Sequence, residues 1–232
     1  MNILIVLTSH DTLGDTGRKT GFWLEEFAAP YYVFVDAGAK VALASPAGGQ
    51  PPLDPKSDEP DAQTEATRRF RQDPDAQRLL AATRPLADVQ AADYDAVFVP
   101  GGHGPMEDLA VDADAGALLI AADEAQLPLG IVCHGPAILL AANNSDGVNA
   151  FAGRTVTGFS NAEEEQAGLA DKAPWLLQDR LTQAGFKVTL AEPWTVHIET
   201  DGNLLTGQNP ASSESLARTL LDRLENVPQG SK

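Results

Sequence analysis

A doubly wound α/β domain, with a mostly parallel sheet and helices on both faces, is predicted by three features of this chain. Short, continuous, β-branched apolar runs alternate with helical stretches along its length, as expected of strands buried on both faces by crossover helices. Two of those runs stop at small-residue turns, Pro100-Gly101-Gly102-His103-Gly104 and Cys133-His134-Gly135-Pro136. Hydrophobic residues fill 43% of 232 positions, ample for the core of one large domain.

The elements follow in order. Residues 3–7 predict the first buried strand, 8–19 a polar loop, 20–37 a helix and 41–44 a second strand. A Pro-, Gly- and Asp-rich stretch then opens a surface excursion over about 46–82, which holds two short polar helices at 66–72 and 76–82. The next buried strand spans 94–100 and runs into the glycine turn. A helix over 113–125, a strand over 129–132 and a helix beginning at Gly135 alternate after it. Further strands are expected near 155–156, 187–189, 195–198 and 204–206, and helices near 175–184 and 212–225. No internal repeat or low-complexity tract appears, so residues 1–232 are read as one domain with a variable excursion.

Composition excludes several function classes. Sixteen basic against 33 acidic residues give a formal charge of −17. Such a surface repels nucleic acid and anionic membranes, and neither is an expected partner. A single cysteine rules out an internal disulfide framework and suits a reducing compartment. The first residues lack the basic region and cleavage site of a signal peptide, and no 18 apolar residues run together. A cytoplasmic protein is the expectation. Four singly scattered histidines give no metal-ligand spacing, so no metal and no cofactor are expected.

The lone cysteine carries the chemistry. An apolar strand that stops at a nucleophilic residue and a small-residue turn is the layout of a nucleophile elbow, which lifts Cys133 clear of the sheet. A helix starting at Gly135 aims its free N–H groups at the sulfur, which predicts a thiolate. The glycines at 101–104 allow positive φ and uncovered amides, the makings of an oxyanion hole. Gly101, Gly102, His103 and Gly135 are therefore the expected oxyanion and substrate-binding residues, with backbone donors from Gly102 and His134. Upstream, Glu25 and Glu26 sit together in an aromatic helical stretch. Neighbours on a helix point about 100° apart, so only one can face the thiol, and residue type does not say which.

These residues also carry a resemblance. Thr-Gly-Phe-Trp-Leu-Glu-Glu at 20–26, Pro-Gly-Gly-His-Gly at 100–104, Cys-His-Gly-Pro at 133–136, Thr-Gly-Phe at 157–159 and Thr-Gly-Gln-Asn-Pro-Ala-Ser at 206–212 resemble the ThiJ/PfpI superfamily. The similarity is to its branch of glutathione-independent glyoxalases and heat-inducible holding chaperones, in that family's order and through nearly the whole chain. It implies a flavodoxin-like, class I glutamine amidotransferase-like fold and a homodimer. It also implies that Glu26 is the essential glutamate, Cys133 the nucleophile, His134 the histidine beside it and Glu164 that histidine's acidic partner. Thr195-Val196-His197-Ile198-Glu199 mimics the His-x-Glu pair of glutamine amidotransferases, but the resembling branch uses no histidine there.

The activity so implied is the cofactor-free conversion of methylglyoxal, or another small 2-oxoaldehyde, to the hydroxy acid. The rival functions are a stress-responsive holding chaperone, a redox-responsive protein and a protein deglycase, each using the same cysteine.

Overall fold

The core of the protein is a seven-stranded sheet, in a computed structural model that describes residues 1–225. Its strands are β1 (Asn2–Val6), β4 (Lys40–Ser45), β5 (Arg84–Pro85), β6 (Ala96–Val99), β7 (Leu129–Val132), β10 (Ile198–Asp201) and β11 (Leu204–Gly207). They lie in the order β10-β11-β7-β6-β1-β4-β5 and are parallel except for the β10–β11 pair. Two small pairs lie apart from it, β2 (Thr12–Leu13) with β3 (Arg18–Lys19) and β8 (Thr155–Val156) with β9 (Lys187–Val188). The apolar runs at 3–6, 96–99 and 129–132 occupy the middle of the sheet and are fully enclosed. That is the reason they contain no polar alternation.

Helices α1 (Leu24–Asp36), α2 (Glu65–Arg71), α3 (Pro74–Leu80), α4 (Ala113–Glu124), α5 (Asn161–Gln166), α6 (Leu177–Gln183) and α7 (Ser213–Glu225) complete the fold. Most expected elements appear within a few residues of their predicted bounds. Three differ for physical reasons. The first helix starts at Leu24 rather than at residue 20, because Phe22 pairs with the excursion: its N–H donates to Pro52 O at 2.9 Å and its carbonyl accepts from Asp54 N–H at 3.0 Å. The strand expected over 195–198 begins only at Ile198, since the Thr195 carbonyl is taken by the Asn209 side chain at 2.8 Å. The segment after Cys133 is a seven-residue 3-10 helix, Gly135–Ala141, that presses against α4. A Cβ on Gly116 would lie 2.1 Å from Ala141 O. A short α-helix, α5, also forms where none was expected, capped by the Ser160 hydroxyl on the Glu163 N–H.

Strands β1, β6 and β7 end side by side at Val6, Val99 and Val132, and the turns that leave them meet above the sheet. In a doubly wound sheet this carboxyl edge is where ligands bind. Among the described residues, no helix is long and apolar enough to cross a membrane.

Candidate active site

Cys133 leaves β7 with φ at +61°, the left-handed region that a non-glycine residue occupies only under constraint. Its N–H donates to Gly207 O and its carbonyl accepts from Phe159 N–H, each at 2.9 Å. Neighbouring segments on two sides thus hold the elbow. The thiol is buried.

From α1, Glu26 reaches the same point. It is completely enclosed, whereas Glu25 turns outward and accepts from the Thr64 hydroxyl of the excursion. The helical rotation that separates adjacent residues decides between them. Oε2 of Glu26 accepts from Gly101 N–H at 2.6 Å. Oε1 has no partner of hydrogen-bonding geometry, although the thiol is close enough for each group to perturb the other. Burial raises the Glu26 pKa to about 8, against the opposing pull of Cys133 and the Gly101 amide. Burial also pushes the Cys133 thiol well up, reinforced by the nearby Glu26 carboxyl.

The resting pair is therefore a carboxylic acid beside a thiol. This corrects the thiolate expected from a helix dipole. The pull of the short 3-10 helix that follows Cys133 loses to the cost of burying negative charge next to a carboxyl group.

The glycine turn after β6 closes the other side. Gly102 has φ at +84°, and a Cβ there would lie 2.1 Å from Gly21 O. Its amide has no protein acceptor among the described residues. Gly101 is equally confined, with a Cβ position 2.7 Å from both Glu26 Oε2 and His134 N. Only glycines let the two turns approach this closely. Gly135 packs against the end of β6, its Cβ position 2.7 Å from Val99 O.

His134 lies 3.4 Å from Cys133 Sγ through Nδ1 and 2.7 Å from Glu164 Oε2 through Nε2. His103 is buried rather than open to water as a turn residue would be, and its Nε2 lies 2.7 Å from Glu164 Oε1. The two imidazoles hold Glu164 well below the usual carboxylate range, outweighing the burial that pushes it up. Burial, then His103, lowers the pKa of His134, with Glu164 opposing. His103, His134 and Glu164 thus form a cluster with ligand-type atoms within 4.8 Å of one another. Sequence spacing gave no hint of it, which corrects the picture of singly scattered histidines. Both carboxylate oxygens face imidazole nitrogens. His197 stands elsewhere, 3.5 Å from Glu199.

One residue that shapes this site escaped the sequence. Glu163, fully buried, accepts from Ser160 N–H and Oγ–H through Oε2 and from Trp194 N–H and Asn209 Nδ2–H through Oε1, all at 2.8–2.9 Å. These bonds fix the start of α5, and with it Glu164. Asn209 belongs to the Thr-Gly-Gln-Asn-Pro-Ala-Ser motif, the one available signal, but its partner is remote in sequence.

The sequence profile of the DJ-1/PfpI family matches residues 19–223. The chain belongs to the DJ-1/PfpI family. Within it, the glutathione-independent glyoxalase HSP31 of Saccharomyces cerevisiae is 30% identical over 97% of this chain and 98% of its own length. Glyoxalase III of Candida albicans superposes with a TM-score of 0.86 at 26% identity, covering 96% of each chain. The 24-kDa rapid encystment protein of Francisella tularensis superposes with a TM-score of 0.90 at 34% identity, covering 96% of this chain and 98% of its own. The expected fold class and DJ-1/PfpI membership are thereby established.

Proposed function

We propose that this protein is a glutathione-independent glyoxalase that converts methylglyoxal, or a closely related 2-oxoaldehyde, to the hydroxy acid. Near-full-length relatives that carry the glyoxalase name support the reaction class. The observation that carries the reading is the Cys133–Glu26 pair: a nucleophilic sulfur beside a protonated carboxyl with one unpartnered oxygen. The reaction needs a soft nucleophile and a group that gives and takes protons at adjacent carbons.

In the first step Cys133 sulfur bonds to the aldehyde carbon C1. The thiol proton passes to His134 Nδ1, and the Glu26 carboxyl gives its proton to the new C1 oxygen. Amides of Gly102 and His134 stabilise negative charge on that oxygen as it develops. The product is a hemithioacetal, with Glu26 now a carboxylate. Glu26 removes the C1 proton while the C2 oxygen takes a proton from His134, giving an enediol. It then returns a proton to C2 and takes up the C1 hydroxyl proton in its place, leaving a thioester with Glu26 again protonated. Water cleaves the thioester and restores the thiol. The isomerisation is internal, so C1 is oxidised as C2 is reduced and no redox cofactor takes part.

The test is incubation of reduced protein with methylglyoxal in the absence of glutathione, resolving lactate by chirality. Lactate of one hand from wild type, but not from Cys133→Ala or Glu26→Gln, is the expected result. Lactate no higher than from the variants, with Cys133 demonstrably reduced, would overturn the reading in favour of another carbonyl substrate.

A further inference from the structure

Glu164 serves two histidines at once. Its Oε1 takes His103 Nε2 and its Oε2 takes His134 Nε2, each at 2.7 Å. A carboxylate only accepts, so both rings donate from Nε2, and each neutral imidazole keeps its lone pair on Nδ1. For His134 that lone pair faces the Cys133 sulfur. A triad requires its acid to hold one imidazole in the correct tautomer. The second histidine is not needed for that arrangement, yet it is buried and bonded to Glu164 through Nε2.

We propose that His103 is a positioning residue: by occupying the second oxygen of Glu164 it fixes the carboxylate's rotation, and so holds His134 as the Nε2–H tautomer with Nδ1 toward Cys133. This rests on the glyoxalase reading above for its consequence in catalysis, but not for the tautomer itself. His103 is well placed to act as a fixed strut. It follows Gly102, whose backbone abuts Gly21, and precedes Gly104, whose Cβ position would lie 2.5 Å from the Thr8 hydroxyl. Its ring packs on that of His134 with centroids 4.0 Å apart, and Phe159 packs on His134 at 4.4 Å.

A free carboxylate could rotate about its terminal torsion, which is broad for a glutamate. The bond from His103 removes that freedom. It also lowers the basicity of Glu164, because each donated hydrogen bond favours the ionised form. The charged or titratable groups around His134 are Glu164 and Glu163 from α5, His103 from the glycine turn, Cys133 beside it, and Glu26 from α1 beyond the sulfur. Removing His103 restores basicity to Glu164 and takes away a neighbour that opposes protonation of His134. The proton affinity of His134 then rises.

The experiment compares wild type, His103→Phe and His103→Gln as full-length proteins. Phenylalanine keeps a flat ring for the stack but has no donor, and glutamine offers an amide N–H near the position of Nε2. Nitrogen-15 NMR of labelled histidines reads tautomer and titration midpoint, independently of turnover. Wild type should show His134 as the Nε2–H form. His103→Phe should show mixed tautomers and a raised midpoint, and His103→Gln should recover the wild-type pattern. With methylglyoxal, His103→Phe should lose roughly tenfold or more in kcat at little change in KM, the size expected for a lost hydrogen bond to a charged group. Its acidic limb should move to higher pH, and the glutamine variant should regain most of the rate.

An unaltered tautomer and midpoint in His103→Phe would overturn the proposal. So would equal damage in both variants with an unmoved pH profile, which would mark His103 as packing alone. A wild-type protein inactive on the oxoaldehyde would defeat the glyoxalase reading, while the NMR arm would still decide the role of His103.

Discussion

Replacing Glu26 by glutamine should stabilise the fold while abolishing the proposed reaction. The carboxyl titrates near 8 in the folded protein against a reference of 4.5. Between those values the folded state holds a proton that the unfolded chain releases, so stability falls as pH rises. The relative loss begins at the unfolded value and is complete above the folded one. Each pH unit costs about 1.4 kcal/mol, so the penalty reaches about 3 kcal/mol at neutral pH. Glutamine is nearly isosteric and does not titrate. Its carbonyl can still accept from Gly101 N–H, and its amide can face the sulfur. Titrations of groups that do not interact with Glu26 cancel in the difference between the two proteins.

The assay is urea unfolding of both proteins across a series from about pH 5 to pH 9, with m-values checked for constancy. The glutamine variant should gain steadily over wild type through the interval and level off above about pH 8. Chiral lactate assays on the same samples should find it inactive. A difference that does not change with pH, or a variant less stable than wild type at neutral pH, would refute a carboxyl held neutral by burial.

Two further outcomes follow from the same geometry. The kcat/KM for methylglyoxal should decline as pH rises through about 8, because the free enzyme then loses the Glu26 proton that the first step consumes; a flat profile across that interval would count against Glu26 as the proton donor. Gly102→Ala should cost on the order of 2–3 kcal/mol in chemical denaturation, since its φ is +84° and the added Cβ would sit 2.1 Å from Gly21 O; a loss below about 0.5 kcal/mol would show that the turn has slack.

Much of this architecture was legible because central parallel strands must be apolar on both faces. The runs at 96–99 and 129–132 announced their strands, and the glycine turn and Cys133 fell at strand ends for the same reason. Edges were less legible. The start of α1 moved to Leu24 because Phe22 pairs with a segment some thirty residues on, and local helix propensity carries no record of such a partner. Likewise, residues 195–197 look like a strand but spend backbone groups on side chains such as Asn209.

By itself the sequence determined the fold class, the turn at Cys133 and, through family motifs, the identities of Glu26, His134 and Glu164 as the residues to inspect. Only the tertiary structure decided that the thiol keeps its proton and that His103 joins the pair of His134 and Glu164. It enclosed Glu26 against the thiol so that both keep their protons, and it joined His103 and His134 through one carboxylate. The physical reason is that turn and strand preferences are set by near neighbours along the chain. A pKa or a shared hydrogen bond depends on burial and charge supplied by residues far away in sequence.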